Sequence, residues 1–321
     1  MKTAIGGYFE LELPLPRKAG RHLEAAAFQS ARASIYALLQ SASPQPVRLW
    51  LPHYICDAVL MPALQAGIKV SFYGIDRNFE IEEGLSLEKG EWLLYVNYFG
   101  ICADQVEKTL ARFPADQVIV DCSQAWFAQP VDCLANIYSP RKFFGVPDGG
   151  FIYSKMVRDD DFLADEGSLG RTQHLLKRLT MGPEFGYADY QEAEASLAAL
   201  EPRRMSVMTR RLLESVDIQK AFDIRNENFA RIHRQLQPHN PLNIPQKVDG
   251  PLCYPFFSED ESLRKKLLDN RVFVPTYWQD VLKRVSPVSM EAAMVKKIIP
   301  LPIDQRYGAP EMDRILEIVN A

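Results

Sequence analysis

The sequence predicts an α/β fold: a three-layer α/β/α large domain on a mostly parallel sheet, followed by a small C-terminal α+β domain. Three observations predict it. From about Val47 to Tyr153, short apolar runs alternate with longer amphipathic stretches. Near-continuous apolar strands of this kind belong to parallel sheets covered by helices on both faces. After Pro241 strand and helix signals alternate again, over a shorter stretch. The length, 321 residues, suggests roughly two domains.

Taken in order, FQSARASIYALLQ (28–40) is an amphipathic helix opened by small and hydroxyl residues. VRLWL (47–51) reads as a strand and ICDAVLMPALQAG (55–67) as a helix stopped by Gly67. KVSFYGI (69–75) and WLLYVNYF (92–99) are the next strands, and ADQVEKTLARF (103–113) is a helix. VIVD (118–121), LANIYS (134–139) and GFIYS (150–154) are three more strands. Residues 158–202 are polar and helical, an excursion between domains. Residues 206–236 predict one long connecting helix. Then come a strand (251–257), a helix (262–270), the strand RVFVP (271–275) and a last helix (309–320). This divides the chain into a large domain, 1–215, and a small one, 216–321. No internal repeat or low-complexity tract occurs.

Composition narrows the function. Hydrophobic residues make up 47% and charged residues 24%, enough apolar material for a large core. The net charge of -4 gives no strong field of either sign, so neither nucleic acid nor an anionic membrane is expected as a partner. No run approaches the length of a membrane-spanning helix, and the first residues lack the apolar stretch of a secretory signal. The five cysteines are odd in number and scattered, with no C-x-x-C. A reduced, cytoplasmic protein without a zinc site is the expectation.

Ligands of parallel α/β sheets bind beyond the carboxyl ends of the strands. Three stretches there carry chemistry. In YSPRKFFGVPDGGFIY (138–153), Lys142 lies between two strands with Asp148, Gly149 and Gly150 close behind. It is either a surface lysine beside a turn or, if partly buried by Phe143, Phe144 and Val146, an amine freed for Schiff-base chemistry. In VIVDCSQAWF (118–127), Asp121 ends a buried strand. It either caps the next turn or serves as counter-ion to a bound cation. The helix opened by Ser30, Arg32 and Ser34 is either simply capped or an anion site. It lacks the G-x-x-x-x-G-K-[ST] pattern of a nucleotide loop. An acid, an amine and an anion-binding helix start are together what pyridoxal phosphate requires.

At these residues the chain resembles the DegT/StrS-type sugar aminotransferases, pyridoxal-phosphate enzymes of the aspartate-aminotransferase fold (fold type I). The resemblance runs from GGYF (6–9) to LPIDQRY (301–307) and includes LPHYICDAV (51–59) and VNYFG (96–100). Lys142 followed by Asp148-Gly149-Gly150 matches the family's Lys, acid, Gly, Gly run. Asp121-Cys-Ser-Gln124-Ala matches its Asp-x-x-His/Gln-Ala signature. Ala31-Arg32-Ala33-Ser34-Ile35 is similar to its phosphate-binding turn, with Arg32 in place of Thr. Ser139 precedes the lysine by three residues where the family's phosphate-binding serine precedes it by five. The position that often holds an aromatic residue stacked on the ring is Cys56, with Tyr54 the nearest alternative. The chain is also shorter than most members. The retained lysine separates it from the dehydratase branch, which has His there, and no His precedes Lys142 as in the desulfurase-like relatives.

The resemblance implies roles. Lys142 would carry the cofactor's aldehyde as an imine and move the proton. Asp121 would hold the pyridine nitrogen protonated, and Gln124 would lie near the ring hydroxyl. Arg32, Ala33, Ser34 and Ser139 would hold the phosphate. Tyr98, Tyr277 and Arg306 are candidates for the substrate, while Asn97, Trp278, Asp304 and Tyr307 lie close to them in sequence. An aromatic pair such as Tyr277 and Trp278 is more often core. His53 and His174 read as structural. The implied reaction is ping-pong transamination from an amino-acid donor, glutamate or glutamine, to a nucleotide-linked keto-sugar. The implied assembly is a homodimer, with 158–202 reaching toward the partner. A lyase or dehydratase reaction with the same cofactor, or a non-catalytic binding protein of this fold, remains an alternative.

Overall fold

The computed structural model describes residues 8–9, 11–14, 21–22, 24–198 and 201–321; Gly6 and Gly7 of the GGYF segment lie outside them. A short strand, β1 (Ala26–Phe28), leads into α1 (Ala31–Ser41). Then follow β2 (Arg48–Pro52), α2 (Leu60–Gln65), β3 (Lys69–Tyr73), β4 (Glu91–Val96), α3 (Ala103–Arg112), β5 (Val118–Cys122), β6 (Ala135–Tyr138) and β7 (Gly150–Tyr153). These strands make one 7-stranded sheet in the order β1-β7-β6-β5-β4-β2-β3. All neighbours are parallel except β7, which runs antiparallel to both β1 and β6. Strands β4, β5 and β6 are buried along their whole length, as their unbroken apolar runs require. In register, Val96 faces Asp121 and Asp121 faces Ile137. The carboxyl ends of β1, β4, β5 and β6 therefore open on one edge of the sheet.

Beyond the sheet, the excursion contains α4 (Gln173–Thr180) and α5 (Tyr187–Ser196). The single helix predicted over 206–236 is two helices, α6 (Val207–Ser215) and α7 (Ile218–Leu236). Val216 turns extended, and the Asp217 carboxylate accepts from Lys220 N at 3.1 Å, so the chain restarts with a new cap. β8 (Tyr254–Phe257) and α8 (Leu263–Asp269) follow, then α9 (Met290–Lys297), β9 (Ile298–Leu301) and α10 (Ala309–Asn320). The strand predicted at RVFVP does not form. Val272 and Val274 are buried as an alternating pattern requires, but β8 pairs antiparallel with β9 instead, Tyr254 facing Leu301. No described helix is long and apolar enough to cross a membrane.

Candidate active site

The start of α1, the end of β5 and the turn after β6 meet at the carboxyl edge, and two glycines make this possible. A Cβ on Gly150 would overlap the backbone of Ser30 and Ala31, and one on Gly149, whose φ is +123°, would lie 2.7 Å from Pro140 Cγ. The Gly149-Gly150 pair thus lets the helix start sit directly on the strand that follows the lysine turn. Gly149 N donates to Gln29 O at 2.8 Å across the same junction. Asp148, fully buried, accepts from Ser206 N at 3.3 Å, which ties α6 to this turn. Burial pushes its carboxyl above the ordinary range, against the hydrogen bond from Ser206.

Asp121 is 6% exposed. Its Oδ1 accepts from Ser123 N at 2.8 Å, and Oδ2 has no hydrogen-bond partner among the described residues. One oxygen is thus engaged in the turn, and the other is open. Gln124 is 1% exposed; its Oε1 accepts from Phe99 N at 2.8 Å, while its Nε2 is buried without a partner. A buried amide donor left open is costly unless a ligand completes it. Ser139, 7% exposed, has an unengaged hydroxyl among the described residues. Lys142 ends the turn Pro140–Lys142 and is exposed, with no ion pair or hydrogen bond among the described residues. Phe143, Phe144 and Val146 are buried but do not enclose it, so of the two readings the single chain shows the surface lysine.

Other expected site residues are placed differently. The Ser34 hydroxyl is fully buried and donates to Ser30 O at 3.2 Å, so it is spent inside the helix rather than open to a phosphate. Ala33 N is already capped by Ser30 Oγ at 3.1 Å. Arg32 donates to Leu197 O at 3.4 Å, and Arg141 pairs with Glu194, so both guanidinium groups grip the end of α5; each keeps a buried Nε without a partner. Tyr98 is fully buried and its hydroxyl donates to Tyr54 O at 2.9 Å, which removes it from any substrate. Tyr54 stacks on Tyr98 and meets Trp278 edge-on at 4.6 Å, so its ring is locked in an aromatic cluster. Burial pushes both phenols well up. Of the pair offered for the ring-facing position, only Cys56 is partly exposed. Asn97 accepts from Cys102 N at 3.0 Å, a turn-forming role. Tyr277 is half-buried against Phe99 and Trp278. Arg306 pairs with Asp304 through bonds of 2.6 and 2.8 Å from its Nε and Nη2. Burial alone would raise the Asp304 carboxyl, but Arg306 and Arg225 outweigh it and hold it below its usual range.

A feature beyond the sequence reading is Arg225 on α7, 1% exposed. Its Nε donates to Gln305 at 2.8 Å and its Nη1 to Pro251 O at 2.9 Å, and its plane lies 4.6 Å from the Phe143 ring. Gln305 in turn donates to Phe143 O at 2.8 Å. The C-terminal part of the chain thus holds the residue next to Lys142. Burial pushes the Arg225 guanidinium down to about 10, so it stays charged at neutral pH. Its position was legible: residues 221, 225, 228, 229 and 232 form the buried stripe of α7, and Arg225 is the cation on it.

No family model matches the chain, and no curated protein matches it in sequence. Solved structures do. The sugar aminotransferase CalS13 from Micromonospora echinospora superposes with a TM-score of 0.62 at 15% identity, over 92% of this chain and 86% of that one. The fold is that of the sugar aminotransferases, fold type I. The PMP-form of the putative sugar aminotransferase Spr1654 from Streptococcus pneumoniae gives 0.64 at 14% identity, over 92% and 86%. Helicobacter pylori PseC, an aminotransferase of pseudoaminic acid biosynthesis, gives 0.58 at 15% identity, over 92% and 85%. Identities this low establish the sugar-aminotransferase fold and leave the chemistry to the residues of this chain.

Proposed function

We propose that the protein is a pyridoxal-phosphate-dependent aminotransferase that moves an amino group from an amino-acid donor to a keto acceptor, a nucleotide-linked keto-sugar. The observation that carries this is the convergence at one sheet edge of a free lysine amine, the open Oδ2 of Asp121 and the unpartnered Nε2 of Gln124. When bound, the cofactor supplies an aldehyde for the lysine and an electron sink for the substrate carbon. Asp121 then holds the proton on the ring nitrogen, and Gln124 Nε2 donates to the ring hydroxyl. Ser139 and Arg32 bind the phosphate beside the start of α1. Once released, the Lys142 amine carries the proton to and from the substrate carbon. CalS13 is a sugar aminotransferase, which supports a sugar acceptor. We place the protein in the cytoplasm, as a homodimer in which a second chain covers the exposed Lys142.

The test is reconstitution. Added pyridoxal phosphate is expected to give a visible absorption band, which an amino-acid donor bleaches and borohydride fixes to the peptide carrying Lys142. Lys142→Ala is expected to form no reducible adduct and to lose about 1,000-fold or more of transamination. A protein that takes up no cofactor, or an adduct that survives in Lys142→Ala, overturns the reading. Bleaching by the donor also separates transamination from a lyase or dehydratase reaction with the same cofactor.

A further inference from the structure

Arg225 is buried on the stripe of α7 that faces the core. Taking a guanidinium out of water is costly, and an apolar side chain of similar length would fill the position without that cost. Its donors must therefore be met, and two distant segments meet them. Nη1 donates to Pro251 O at 2.9 Å and to Leu252 O at 3.2 Å, and Nε donates to Gln305 Oε1 at 2.8 Å. The next residue, Asn226, accepts from Gly250 N at 2.8 Å, so α7 fastens 250–252 through two adjacent side chains. From these segments the bonding continues to two turns of the site. Gln305 Nε2 donates to Phe143 O at 2.8 Å, one residue after Lys142, and the guanidinium lies 4.6 Å from the Phe143 ring. Leu252 N donates to Phe99 O at 2.8 Å, and Phe99 N donates to Gln124 Oε1 at 2.8 Å. The second path has no slack: a Cβ on Gly100, whose φ is +76°, would lie 2.8 Å from Gln124 O and 3.2 Å from Pro251 Cα.

Each path ends on a group that the site depends on. A backbone N–H can be met only by the oxygen of a side-chain amide, so the bond from Phe99 decides that Nε2 is the end of Gln124 left open. The bond from Gln305 holds the peptide that follows Phe143, and Phe143 N and Phe144 N both return to Pro140 O, at 2.9 and 2.8 Å. That closes the turn in which Lys142 stands. We propose that Arg225 is a positioning residue that sets the Lys142 turn and the Gln124 amide in one fixed relation. The inference rests on the transaminase reading for what those two groups do; the coupling between them is a property of the chain. A planar guanidinium spans both sets of acceptors, and a lysine ammonium, a single point of charge, does not. Misplacing a reacting group by about 1 Å costs roughly 100-fold in rate. The network therefore acts on the catalytic step and not on donor binding.

The experiment is hydrogen–deuterium exchange of the full chain without cofactor, read on peptides covering 97–101 and 140–146. The β5 amides, 118–122, report global opening. Arg225→Lys is expected to speed exchange at least about tenfold on both site segments while 118–122 stays as in the parent. Gln305→Ala cuts one path alone, so only 140–146 should change, and this variant reports even if Arg225→Lys fails to fold. Arg231→Gln, which loses only the surface pair with Asp313, should leave both segments unchanged. With cofactor and donor present, Gln305→Ala is expected to lower kcat about tenfold with the donor KM within about twofold, a split that a general loss of stability does not produce. Unchanged exchange over 140–146 in Gln305→Ala, an equal rise over 118–122, or a kcat equal to the parent's overturns the proposal. The exchange readout needs no cofactor. A parent that binds none defeats the transaminase reading and leaves the role of Arg225 to be decided by exchange.

Discussion

Asp121 has one oxygen bound to Ser123 N and one left open, and a substitution can test the open one. Asp121→Asn keeps an acceptor for Ser123 N and removes the charge. It is expected to fold with a Tm close to the parent while transamination falls by at least about 100-fold. Equal activity in the two proteins would remove Asp121 from the mechanism. His22 shows the same dependence on partners away from the site. It is 5% exposed, its Nε2 lies 3.0 Å from Trp126 O and its Nδ1 3.2 Å from Tyr153 OH. Burial lowers its pKa from 6.5 to about 4, outweighing the bond to Trp126 O. Because the folded pKa is depressed, its contribution is fully present above about pH 6.5 and is lost as pH falls toward about 4. Denaturant titrations across that window are expected to show a loss of up to about 3 kcal/mol. In His22→Phe the loss should shrink; an unchanged pH dependence would assign the loss to other groups.

Among the elements, the junction of α1 with β7 is the most constrained. Gly150 touches Ser30 and Ala31 with backbone alone, and neither a helix start nor a strand start can yield cheaply. Gly150→Ala is expected to cost about 2–4 kcal/mol, read as a fall in Tm or in denaturant midpoint. A fully stable variant would mean that the junction is soft. The same element scale explains two misreadings. The helix over 206–236 breaks because Asp217 caps a new start, a local signal hidden inside a continuous amphipathic pattern. RVFVP has the alternation of a strand, and its valines are buried, but alternation does not specify a pairing partner. The edge of β8 is taken by β9, whose Pro300 made it a poor strand by composition.

For the whole molecule, the excursion has two faces. Arg32 and Arg141 hold α5 against the lysine edge, while Leu169, Leu176, Leu179, Phe185 and Tyr187 are exposed. An apolar surface of this density usually meets a partner, and an exposed Lys142 is incomplete as an imine-forming site. In the proposed homodimer these residues lie at the subunit contact. Leu179→Lys combined with Phe185→Lys is expected to shift the protein to monomer in sedimentation velocity and to lower transamination at least about tenfold. A double variant that stays dimeric, or a parent that is a fully active monomer, would place the contact elsewhere or remove it.

The sequence by itself determined the strands of the main sheet and the residues at their carboxyl ends. Apolar runs and their spacing are local properties, so they identify β2 to β7 and the residues just beyond them, including Asp121 and Lys142. They also specify Gly149 and Gly150, because only glycine admits so close an approach of helix and strand. Only the tertiary structure decided which polar groups are still available. Ser34, Tyr54, Tyr98 and Arg306 all have suitable chemistry by residue type, yet Ser30, the aromatic cluster and Asp304 occupy them. Asp121 Oδ2 and Gln124 Nε2 stay open. Whether a donor or acceptor is satisfied depends on atoms brought from distant parts of the chain, and the order of residues does not encode that until the chain has packed.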